Sequence, residues 1–139
     1  MNQKIYSRAV EISRALKDRV QNGKSAHTTF ILRKSKIICI ATNNYKKAHN
    51  NKKFGYYENW KGFESEYRPC VHSECSAISK MGEEDLSEYT FLNIRIDNNG
   101  KPNMAKACPN CARVIQSFGG CKKMFYSNNE GNLQQDERF

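Results

Sequence analysis

The segment His72-Ser73-Glu74 and the cysteines of Cys108-Pro109-Asn110-Cys111 constrain this chain more than anything else in it. Together they offer one imidazole and two thiolates, a donor set that holds zinc and leaves a coordination position open. Structural zinc is usually closed by a fourth protein ligand, so this set has the form of a catalytic site. Glu74, two residues from the histidine, is placed to handle protons beside such a metal. Alone, a Cys-x-x-Cys would equally describe a structural zinc knuckle or two buried thiols. Joined to His72 and Glu74, it requires a fold that carries two distant segments to one point.

At 139 residues the chain reads as one domain spanning 1–139, long enough for a single core. No apolar run approaches a membrane span and no signal peptide is visible, so a cytoplasmic protein with no membrane partner is expected. There the six cysteines stay reduced or bind metal. The formal charge of +9 favours polyanionic partners: a nucleotide, a single-stranded nucleic acid or an acidic protein surface.

Ile5, Ala9, Ile12, Leu16 and Val20 recur at helical spacing, with Gly23 placed as a C-terminal cap. The stretches 28–33 (TTFILR) and 36–42 (KIICIAT) read as a hairpin around Lys34-Ser35. A long loop, 43–71, follows. A short helix is expected over about 73–81, ending at Gly82, and a strand over 88–96 with a turn at Asp97-Asn98-Asn99-Gly100. Another helix should start near Pro109 and run to about Phe118, where Gly119-Gly120 ends it. The stretch 122–127 reads as a last strand, and the polar tail 128–139 as a segment that frays. Both ligand-bearing segments are then helix starts on one side of a sheet. Helix N-termini also favour thiolate over thiol.

At these residues the chain resembles the zinc-dependent cytidine and deoxycytidylate deaminase superfamily, most of all its small phage-type members. The resemblance implies a three-layer α/β/α fold with a mixed sheet of four to five strands. It implies His72, Cys108 and Cys111 as zinc ligands and Glu74 as the proton shuttle. Ser73 and Cys108 would offer backbone groups to the reacting base. Asn43, with Asn44 a close alternative, would hold the sugar, although Asn43 also reads as a turn former. The activity implied is hydrolytic deamination, in which water replaces an amino group on the base and ammonia leaves. The family usually has proline before its first cysteine, where this chain has Ala107. That puts the loop geometry in question rather than the metal. The segment 132–139 is too polar to supply a clear fifth strand.

The 43–71 loop interleaves Lys46, Lys47, His49, Lys52 and Lys53 with Tyr57, Trp60 and other aromatics. Lysines meet phosphates and aromatic rings stack on bases, so the loop could grip a nucleotide or line a groove for a single strand. It could equally be a solvated loop pinned by a few buried rings. Cys39 and Cys121 read as core residues, and Cys70 with His49 as a conceivable second zinc site. Three functions therefore stand side by side. The first is a deaminase of a cytosine-containing nucleotide (dCMP or cytidine type). The second is a deaminase of cytosine or adenine in single-stranded DNA or RNA. The third is a non-catalytic zinc protein that binds nucleic acid. A homo-oligomer is compatible with each of them.

Overall fold

The computed structural model describes residues 1–17, 26–43 and 72–139. Helix α1 (Gln3–Leu16) starts at Asn2, whose side-chain oxygen accepts the Ile5 amide at 2.9 Å. Its buried face is Tyr6, Ala9, Val10 and Ser13, with Ile5 and Ile12 packed at the margin. The stripe is thus turned from the expected Ile5-Ala9-Ile12-Leu16 line. Tyr6 enters the core because its hydroxyl finds the Gly131 carbonyl at 2.8 Å, which satisfies its polar end. Val20 and Gly23 lie outside the described residues.

Strands β1 (Ala26–Arg33) and β2 (Lys36–Thr42) form the expected hairpin. Lys34 and Ser35 both take positive φ, 51° and 64°, the backbone that a two-residue hairpin turn needs. Ile31 pairs with Cys39 but Leu32 pairs with Ile37, leaving Ile38 as an unmatched, exposed bulge residue. This bulge sends Ile37 and Ile40 to one face of the sheet and Cys39 and Ala41 to the other.

Helix α2 (Ser73–Met81), β3 (Thr90–Ile96), β4 (Pro102–Asn103), α3 (Pro109–Ser117), β5 (Lys123–Ser127) and β6 (Leu133–Gln135) complete the described chain. The sheet runs β2-β1-β3-β5-β6, with β4 paired to the end of β3. Only β3 and β5 pair in parallel, so the sheet is mixed. Phe30, Leu32, Leu92, Ile94 and Phe125 pack on one face against Tyr6, Ala9 and Val10 of α1. Ile31, Phe91 and Met124 pack on the other against Cys75 and Ile78 of α2 and Val114 and Ile115 of α3. The expected three layers are present, but among the described residues the sheet has six strands rather than four to five.

The added strands are β4 and β6, and β6 lies in the tail expected to fray. Gln135, Gln134 and Leu133 pair with Phe125, Tyr126 and Ser127, and the Asp136 amide donates to the Met124 carbonyl at 2.7 Å. An edge strand held by backbone bonds needs few apolar side chains, which is why its polar sequence hides it. Beyond it, buried Asp136 accepts from Arg138 Nη2 at 2.6 Å, and the same nitrogen donates to the Ala107 carbonyl at 2.7 Å. The chain end is thereby clamped to the loop before Cys108.

Burial pushes the Asp136 carboxyl up, but hydrogen bonds and charge from Arg138 outweigh this and hold it below its ordinary value. A depressed carboxylate contributes stability that is present above its unfolded pKa and lost as pH falls through the folded value. Asp136→Ala should therefore lower the unfolding free energy by about 2 kcal/mol at neutral pH, read from urea midpoints. The gap from the parent should close as pH drops below about 4. A gap that persisted in acid would contradict the ion pair's role.

Candidate active site

His72 and Cys108 occupy equivalent places: each is the N-cap residue of its helix, with extended backbone at ψ 153° and 161°. The His72 carbonyl accepts the Ser76 amide at 3.0 Å and the Cys108 carbonyl accepts the Ala112 amide at 2.9 Å. Each side chain therefore projects ahead of the first turn instead of along the helix. Because α2 and α3 lie on the same face, the two side chains converge. His72 Nδ1 sits 3.1 Å from Cys111 Sγ and 3.7 Å from Cys108 Sγ. The three donor atoms lie within 4.8 Å of one another.

These residues fit a zinc ion. Zn–S and Zn–N bonds of about 2.3 and 2.0 Å at tetrahedral angles put neighbouring donors roughly 3.5–3.8 Å apart. The two sulfurs and the imidazole nitrogen already stand near that spacing, and their chemistry is that of a zinc donor set. Among the described residues no other group of metal-binding side chains gathers in this way. The sulfurs are electrostatically unequal. Cys108 is pulled down to about 4, first by a hydrogen bond from the Cys111 thiol and then by His72 and the Cys111 amide. Cys111, which gives that hydrogen bond and is fully buried, is pushed well up.

Glu74 lies in the first turn of α2 and is 7% exposed. Burial raises its pKa, opposed by backbone hydrogen bonding and the neighbouring His72. Asn93 Nδ2 donates to Glu74 Oε2 at 3.0 Å, and Ser73 Oγ donates to Oε1 at 3.2 Å. A cavity of about 140 Å³ is lined by His27, Asn43, His72, Ser73, Glu74, Lys106 and Cys108. His72, Cys108, Glu74, Ser73 and Asn43 thus share one pocket, and Cys111 adjoins it through its contact with His72.

Asn43 closes the pocket's flank, its Oδ1 accepting the His27 amide at 3.1 Å while its own amide donates to the His27 carbonyl. It therefore closes the end of the β1–β2 pairing as well as lining the pocket. Ala107, where proline was expected, is buried and has its carbonyl gripped by Arg138. Lys46, Lys47, His49, Lys52, Lys53, Tyr57, Trp60 and the proposed Cys70 site lie outside the described residues. Cys39 is half-buried against the α2 layer, and Cys121 is half-buried with its thiol pushed up to about 12 by desolvation.

Sequence reading missed His27, Thr29, Asn93 and Lys106. His27 is held down to about 4 by burial, with the Arg95 and His72 charges adding to the effect, so it faces the pocket as a neutral ring. Thr29 and Asn93 are buried polar residues flanked on their own sheet face by the apolar Ile31 and Phe91. That anomaly was readable, but their placement opposite Glu74 was not.

No protein-family model matches the sequence, and no curated protein matches it. Solved structures do match. The dCMP deaminase from the cyanophage S-TIM5 in apo form is 16% identical with a TM-score of 0.54, covering 93% of this chain and 86% of that one. The same enzyme in complex with dCMP and dUMP gives 15% and 0.54, covering 93% and 85%. The cytidine deaminase from Mycobacterium leprae gives 14% and 0.51, covering 94% and 92%. At such identities the likeness shows a shared fold, the mixed α/β architecture of cytidine deaminase-like proteins. No helix among the described residues is long and apolar enough to cross a membrane.

If the three donors form a metal site, metal-free protein should take up one zinc per chain and melt at a higher temperature. The gain should be about 4 kcal/mol at free zinc some 1,000-fold above Kd. Cys111→Ser should abolish the gain. Arg138→Ala, which releases the Ala107 carbonyl, should weaken zinc binding about tenfold. Calorimetric titration with zinc checks all three, and a Cys111→Ser protein that binds as tightly as the parent would refute the assignment.

Proposed function

We propose that this protein is a zinc-dependent hydrolytic deaminase that converts a cytosine-containing nucleotide, of dCMP or cytidine type, to its uracil form with release of ammonia. The observation that carries this reading is the meeting of His72, Cys108 and Cys111 as one donor group, beside a pocket that Glu74 lines together with His72 and Cys108. The fold shared with a dCMP deaminase and a cytidine deaminase supports it.

His72 Nδ1 and the Cys108 and Cys111 sulfurs would hold the zinc, which supplies Lewis-acid activation of water at neutral pH. Glu74 would take one proton from the attacking water and pass it to the ring nitrogen beside the amino-bearing carbon, then take the remaining hydroxyl proton and give it to the departing amine, leaving a carbonyl. One water is consumed and one ammonia released for each amino group replaced by oxygen. A carboxyl that burial has raised suits this work, because it must both accept and return protons. Backbone groups of Ser73 and Cys108 would meet the base, and Asn43 the sugar. Lys46, Lys47, His49, Lys52 and Lys53 are the candidates to meet phosphate, and Tyr57 and Trp60 to stack on a base.

The charge of +9 favours a second reading, in which the base is presented in single-stranded DNA or RNA. A panel of cytidine and adenosine nucleotides and oligonucleotides separates the two, scored by chromatographic loss of the amino group. Turnover of dCMP or cytidine is the expected result. Activity confined to oligonucleotides and falling steeply with salt would replace it with the polymer reading. Glu74→Gln should keep its zinc and lose at least about 100-fold in kcat. Full activity in that variant would overturn the mechanism, and a zinc-loaded parent inert on every substrate would leave a non-catalytic binder.

A further inference from the structure

Beneath Glu74 lies a buried polar relay that the proposed chemistry has not used. Thr29 of β1 and Asn93 of β3 are Cα partners across the sheet, on the face that α2 covers. They are 0% and 3% exposed. An asparagine in a central strand is unfavourable both as a strand former and as a buried amide, so its partners must repay its desolvation. Asn93 spends its amide nitrogen on Glu74 Oε2 at 3.0 Å and its amide oxygen on Thr29 Oγ1 at 2.6 Å. Thr29 Oγ1 also lies 2.8 Å from Ser73 Oγ, and Ser73 Oγ lies 3.2 Å from Glu74 Oε1.

Counting protons orders this chain. An amide oxygen only accepts, so the single Thr29 proton goes to Asn93 Oδ1. That bond fixes the amide's orientation and turns its N–H towards the carboxylate. The reverse orientation would set two oxygens against each other. Ser73 then has one proton and two acceptors, Thr29 Oγ1 and Glu74 Oε1. The two carboxylate oxygens are therefore inequivalent: Oε2 has a fixed donor, and Oε1 has one that can turn away.

We propose that Asn93 and Thr29 are positioning residues for Glu74, pinning Oε2 so that Oε1 is the oxygen that carries the proton to substrate. This rests on the deaminase reading for what Oε1 does, but the pinning itself does not. Neither Asn93 nor Thr29 lines the pocket. They act by holding the carboxylate at one height and rotation, where a displacement of about 1 Å can cost on the order of 100-fold in rate.

Two measurements test it on the intact, zinc-loaded 139-residue chain. The first is kinetic, on the cytosine nucleotide turned over fastest. Asn93→Asp keeps the shape but replaces the donor with an acceptor, and should cut kcat on the order of 100-fold with KM and zinc content unchanged. Thr29→Val should lose about tenfold, and Thr29→Ser, which restores the hydroxyl, should recover most of that. The second needs no substrate. In ¹⁵N-labelled protein the assigned Asn93 side-chain amide pair should shift in Glu74→Gln and in Thr29→Val, and return close to its parent position in Thr29→Ser.

A folded, zinc-loaded Asn93→Asp with the parent's kcat would overturn the proposal, as would an amide pair indifferent to Glu74→Gln. If Asn93→Asp fails to fold, the amide response decides alone. A parent that deaminates nothing but shows the amide response refutes the deaminase reading and leaves the relay standing.

Discussion

The parallel pairing of β3 with β5 is the constraint on which the rest of the structure depends. Parallel neighbours cannot be joined by a tight turn, so the chain must cross over, and here the crossover contains α3. That helix packs on the face already occupied by α2. With both helices on one face, their first residues can meet, and both N-cap side chains project ahead of their helices. The contact between His72 and the two cysteines is thus a consequence of sheet topology before it is a matter of metal chemistry. Arg138 adds a second restraint by holding the carbonyl of Ala107, so the polar C-terminus helps to set the position of Cys108.

The polar side chains beneath this junction follow the same logic. Thr29, Ser73, Glu74 and Asn93 are all buried, each costly by itself, and they satisfy one another across β1, β3 and α2. Around them the face is apolar, from Ile31 and Phe91 to Ile115 and Met124. A carboxylate held there is desolvated, which raises its pKa, yet Asn93 fixes one of its oxygens in place. The same burial that stabilises the fold therefore prepares the group for proton transfer in the proposed reaction.

Much of this was legible in the residues. The β-branched runs gave β1, β2 and β3, Pro109 marked the start of α3, and Gly82 ended α2 with φ of 68°. His72, Glu74, Cys108 and Cys111 could be named because metal chemistry demands particular residue types at particular spacings. Other features could not be read, for definite physical reasons. Strand β6 is stabilised by backbone bonds to β5 and carries no apolar pattern. The buried face of α1 turned because Tyr6 found an acceptor on Gly131, a contact between opposite ends of the chain. Asn93 and Thr29 acquire meaning only through the β1–β3 register, which no local pattern contains.

The central claim is that the three donors and Glu74 form a single catalytic unit. The most direct measurement is a stepwise addition of zinc to metal-free protein, with deamination of dCMP or cytidine followed at each step. The rate should rise in proportion to zinc and break at one equivalent per chain, and Glu74→Gln should bind the same equivalent without the rise. A rate independent of zinc, or no deamination at full occupancy, would contradict it.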